Sequence, residues 1–257
     1  MWSAQSDSRL FAGLVVALVG VAWLAYAIWG LSPYSAALDH EALVHTRLRL
    51  GGEYVLEAAV FAGGWALMTV AMMLPTSLPF VILFRTVTQR RANRNLLTAL
   101  LLAGYLATWV GFGIVAHFGD FWLHRAVEAS ATLHANAWLL GAAPLLVAGV
   151  YQFTPLKYVC LDKCRSPYSF MMGYWRGSSA PVQSLRLGVA HGVFCVGCCW
   201  PLMLLMFAVG TGNLAWMLVL SVVMGVEKNF AWGRRLSAPL GAVLLSAGAT
   251  LMLLNLS

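Results

Sequence analysis

Seven apolar stretches divide the chain, at about 10–30, 55–84, 95–116, 136–158, 187–209, 212–227 and 236–254. Each is near the roughly 20 residues that cross a bilayer as a helix. A backbone in lipid must satisfy its own hydrogen bonds, which restricts such stretches to helices or a closed barrel. The expected fold class is all-α: a polytopic membrane helix bundle with about seven transmembrane helices. Only 10% of the 257 residues are charged, against about a quarter in a soluble domain. No polar block is long enough to fold separately, so residues 1–257 are read as a single integral membrane domain with the lipid bilayer as its first partner. No small-residue cleavage site follows the first stretch, which is expected to remain as a span rather than be removed as a signal peptide.

The basic residues set an expected orientation. Arg9, the group Arg85, Arg90, Arg91 and Arg94, the group Lys157, Lys163, Arg165, Arg176 and Arg186, and the group Lys228, Arg234 and Arg235 fall on one side of a seven-span topology. That is thirteen of the sixteen Lys and Arg residues. The positive-inside rule makes that side cytoplasmic, with the N-terminus cytoplasmic and the C-terminus outside. The net charge of +7 is therefore read as loop topology, and no nucleic-acid partner is expected. On this topology Cys160, Cys164, Cys195, Cys198 and Cys199 all face the reducing compartment, which argues against structural disulfides. Five of the six histidines, His40, His45, His117, His124 and His134, lie outside.

The fifth stretch carries the most chemistry. His191, Cys195, Cys199 and Met203 recur every four residues, with Cys198 and Met206 beside them. Thiolate, thioether and imidazole suit soft or borderline metals: copper as Cu(I) first, zinc or iron as alternatives. Pro201 cannot donate a hydrogen bond, which frees the carbonyl of Gly197, and broken helices at membrane depth are where transporters hold ions. Pro75 and Pro79 interrupt the second stretch as Pro201 does the fifth, and each is expected to kink or end its helix. Cysteines are also small hydrophobes that pack helices.

Other constellations surround this one. Cys160 and Cys164 lie one helical turn apart after the fourth stretch, with Lys157 on the same face and Lys163 and Arg165 nearby to favour their thiolates. Met72 and Met73 continue a Trp65–Met68 face toward Pro75, and thioethers favour Cu(I) among common metals. Glu227 and Lys228 end the sixth stretch, where an ionisable pair at a membrane helix end points to a paired or functional role. On the outer side His117, Asp120, His124 and Glu128 align on one amphipathic face. His40 and His45 could approach from the first outer loop to form a second, Cu(II)- or Zn(II)-type site. No phosphate loop, Walker motif, GxSxG elbow or haem-attachment motif is present.

Ala71-Met72-Met73-Leu74-Pro75, Tyr151-Gln152 with Pro155-Leu-Lys157, Cys160-Leu-x-x-Cys164-Arg165-Ser-Pro167, Gly192 with Cys195-Val-Gly197-Cys198-Cys199-Trp200-Pro-Leu-Met203, and Glu227-Lys228 follow one another in order. Over about residues 60–230 this pattern resembles a bacterial domain-of-unknown-function family labelled predicted metal-binding integral membrane proteins, some of whose members are labelled copper chaperones. The resemblance implies a copper-handling, multi-pass protein of the bacterial inner membrane, with a metal-donating or metal-receiving protein as partner. The residues leave two other readings open. One is an enzyme, either an intramembrane thiol oxidoreductase or a copper-dependent membrane oxidase. The other is an assembly subunit of a larger membrane complex.

Overall fold

The structure, a computed structural model, describes residues 2–31, 52–175, 179–209 and 213–256. His40 and His45 lie outside the described residues. The described chain is all helix, without strands. Its elements are α1 (Trp2–Gly30), α2 (Gly52–Met72), α3 (Leu74–Val87), α4 (Arg94–Ala129), α5 (Ala131–Ala135), α6 (Leu139–Tyr151), α7 (Pro155–Arg165), α8 (Pro167–Tyr174), α9 (Ala180–Val209), α10 (Leu214–Asn229), a 3₁₀ turn (Gly233–Leu236) and α11 (Ser237–Leu256).

All seven apolar stretches are helical, but they do not make seven straight spans. Among the described residues four helical segments are long and apolar enough to cross a membrane, Leu10–Gly30, Arg94–Ala129, Ala180–Phe207 and Gly233–Asn255, and counting each of two bent pairs as one span brings the total up to six. The sixth stretch forms α10, a helix of 16 residues, which at about 1.5 Å per residue falls short of a hydrocarbon core about 30 Å thick.

The two bends have local causes. Between α2 and α3 the axis turns by 70° at Met73, because Pro75 sits in the first turn of α3 and cannot extend the preceding hydrogen-bond ladder. Between α6 and α7 it turns by 68°. There the Thr154 hydroxyl accepts the Lys157 backbone N–H and Pro155 opens the new helix, a capped start that the apolar pattern alone conceals. Pro79 and Pro201 each lie inside their helix, so neither ends it. α9 instead continues to Val209.

α9 is the central helix. It packs along α4 and against α6 and α7. A Cβ on Gly104 would strike the Leu185 backbone, and one on Gly188 would strike the Leu101 backbone. The two helices therefore meet backbone to backbone, the close approach that small residues permit in apolar surroundings. Around α1, by contrast, Leu14, Val21, Leu24 and Ile28 are all exposed, as expected of a face turned to lipid. The main core cluster is rich in sulfur. It contains Met68, Met72, Met73, Met203, Met206, Met217 and Met224 together with Cys160, Cys195, Cys198 and Cys199.

Candidate metal centre

Three thiols project from one turn of α9 into that core. Cys195, Cys198 and Cys199 are at most 1% exposed. Helical spacing lets the Cys198 and Cys199 thiols both donate to the Cys195 carbonyl, each at 3.0 Å. The Cys195 Sγ also meets two polar groups from distant elements. Tyr105 OH of α4 lies 3.2 Å from it, and Lys228 Nζ at the end of α10 lies 3.0 Å from it.

Lys228 Nζ is the hub of this arrangement. Besides Cys195 it lies 3.9 Å from Cys199 Sγ, 3.6 Å from Met73 Sδ and 3.4 Å from Thr76 Oγ1. The break at Met73 makes this possible, because it turns the end of α2 and the start of α3 toward the thiols. Tyr105 OH also donates to the Met73 carbonyl at 3.3 Å. α7 adds two more sulfurs. A Cβ on Gly197 would stand 2.6 Å from Cys160 Sγ, so glycine leaves the room that this thiol fills. Cys164, half-buried, interacts with both Cys195 and Cys198.

All five cysteines are free. Among the described residues no three His, Cys, Asp or Glu side chains close round one point as a finished coordination shell. Thiols and thioethers are nevertheless concentrated here, and that soft donor set suits Cu(I).

A second polar cluster stands beside the sulfurs. Lys157 Nζ lies 2.7 Å from Glu227 Oε1, with side chains 0% and 2% exposed, and Lys157 also donates to Gln152 Oε1. Ser237 of α11 donates to the same Glu227 oxygen at 2.7 Å. Arg165 donates to the Glu227 carbonyl and, at 3.0 Å, to that of Ala231. Lys157 thus engages Glu227, and the lysine on the thiols is Lys228. The sequence reading sets Lys157, Lys163 and Arg165 beside Cys160 and Cys164, and gives no lysine to Cys195, where Lys228 stands at 3.0 Å. It missed Tyr105, Thr76, Ser77 and Ser237. None of these four stands in a motif with the cysteines, so spacing offered no signal for them.

His191 lies one turn before Cys195, yet its ring turns away. It stacks on Phe80 with ring centroids 4.2 Å apart and packs against Tyr105 and Phe170. Its Nε2 is 3.3 Å from Ser77 Oγ, and Nδ1 has no hydrogen-bond partner. On the outer-site face of α4, His117 stacks on Phe61 at 4.4 Å. His124 Nδ1 lies 3.2 Å from Asp120 Oδ2, and Glu128 is 4.0 Å from Arg125. These residues share a helix but form neighbouring pairs and stacks rather than one cluster.

A family model described as PpoB2, copper chaperone, matches residues 62–251. No curated protein and no solved structure matches the chain. The matched region contains the five cysteines, the break at Met73 and the Lys157–Glu227 pair.

Proposed function

The chain belongs to the PpoB2 copper chaperone family, and we propose that it carries copper as Cu(I) on the sulfurs at the centre of the bundle. Cys195, Cys198 and Cys199 are the primary ligands in this reading. Met73 and Cys164 stand beside them, and Met72, Met203 and Met206 line the surrounding core. Cys160 and Cys164 of α7 would pass the ion to or from a protein partner by exchange of one sulfur for another. The observation that carries the reading is the convergence of thiols from α9 and α7 with the Met73 thioether in one buried pocket. Thioethers discriminate for Cu(I) against zinc and magnesium. A bacterial inner-membrane location completes the proposal, with the N-terminus and the thiol side cytoplasmic.

The test is elemental analysis of protein purified in detergent without chelator. The expected content is about one copper ion per chain, lost in a Cys195→Ser, Cys198→Ser, Cys199→Ser triple variant. Full copper occupancy in that variant removes the assignment. One observation favours a second reading, thiol–disulfide chemistry: Cys195, Cys198 and Cys199 are free thiols gathered on one turn of α9. That alternative predicts metal-free protein whose thiol-trapping pattern shifts between reducing and oxidising conditions.

A further inference from the structure

Lys228 stands where a metal would stand. Its Nζ is 3.0 Å from Cys195 Sγ, 3.6 Å from Met73 Sδ and 3.9 Å from Cys199 Sγ, with Thr76 Oγ1 at 3.4 Å. A metal shared by the sulfurs of Cys195, Cys199 and Met73 would occupy the space the ammonium fills. Two cations cannot share a buried pocket of that size without strong repulsion. The neighbouring carboxylate does not draw the lysine off, because Glu227 is already engaged by Lys157 and Ser237.

We infer that Lys228 is a resident placeholder in the sulfur pocket, whose ammonium must withdraw for Cu(I) to bind. The inference rests on the copper-carrying reading above and adds to it a residue that fills the pocket until the ion arrives. Exchanging one monovalent cation for another leaves the pocket's charge unchanged, so the buried site is not left with an uncompensated charge. Lysine suits this role, since a compact ammonium on a flexible four-carbon stem can leave without disturbing the helix that bears it. The placeholder also accounts for sulfurs arrayed round a point on which, among the described residues, no three of the usual ligands close.

The experiment measures Cu(I) and Zn(II) affinity by competition with a chromophoric chelator. It uses full-length protein in detergent: wild type, Lys228→Leu, Lys228→Gln and the triple cysteine variant. Lys228→Leu removes the ammonium without adding a metal ligand, and Lys228→Gln serves if that variant is not monodisperse by size exclusion. The expected result is Cu(I) binding tightened about tenfold or more in the Lys228 variants, with Zn(II), which must displace the same ammonium, tightened alike. Equal or weaker Cu(I) binding in a monodisperse Lys228 variant overturns the placeholder and leaves the copper reading standing. Absence of Cu(I) binding from wild type and the Lys228 variants alike removes the copper reading and the placeholder with it.

Discussion

Tyr151 donates its phenolic O–H to the backbone carbonyl of Gly197. That carbonyl lies four residues before Pro201, so it is the acceptor whose helical donor the proline removes. α9 thereby runs unbroken through a proline in the middle of the thiol segment, with its loose end held by α6.

Tyr151→Phe should leave the carbonyl without a partner, at a cost of about 1–3 kcal/mol. Pro201→Ala restores the missing N–H within α9. The double variant should therefore melt at a higher temperature than Tyr151→Phe alone, measured by thermal unfolding in detergent. A double variant no more stable than the single one would mean that Tyr151 does not serve this carbonyl.

The Lys157–Glu227 pair is buried on both sides. Removing one partner leaves an uncompensated charge, which typically costs about 3–5 kcal/mol. Glu227→Gln should thus lower yield and melting temperature sharply. Lys157→Met with Glu227→Leu removes both charges and should be milder than either single change. The comparison is a double-mutant cycle on melting temperature, and strict additivity would show that the two residues do not act as a pair.

At Gly197 a methyl group would meet Cys160 Sγ. Gly197→Ala is expected to displace α7 from α9 and broaden the size-exclusion profile. Cys160→Ala removes the obstructing sulfur, so the Gly197→Ala, Cys160→Ala double variant should recover a single peak. Gly188→Ala offers the contrast, because it strikes the backbone of Leu101, which no side-chain deletion can relieve.

His191 is expected to be dispensable for copper. Its ring faces Phe80, Phe170 and Ser77, and His191→Gln should keep the wild-type copper content while losing stability through the broken aromatic stack. Copper loss in a folded His191→Gln protein would return the imidazole to the ligand set.

How much was legible in the sequence depended on whether a residue's partners lay within reach of its own spacing. Pro201 and Gly197 announced an orphaned carbonyl, and Pro75 announced the break at Met73. The cysteines of α9 appeared as one group because helical periodicity places them there. Lys157 pairs with Glu227, 70 positions away, a partner no local spacing announces. The stretch 136–158 reads as one helix by apolarity, but Thr154 and Pro155 start a new axis bent by 68°. The same hidden start reduced the number of straight crossings. Tyr105 could not be found at all: it is an ordinary residue of an apolar helix, 90 positions from the cysteine it touches.

Glu227 and Lys228 are consecutive residues with different assignments, one tied to α7 and α11, the other set among the sulfurs. Consecutive side chains on a helix diverge by about 100°, so a single rotational phase of α10 satisfies both. At its other end Asn213 caps the helix by accepting the Trp216 N–H at 3.0 Å. Inserting or deleting one residue anywhere within α10 would swing both charges off target together. Helix length here is thus a coded quantity, to be kept in whole turns by any graft or chimera that borrows this segment.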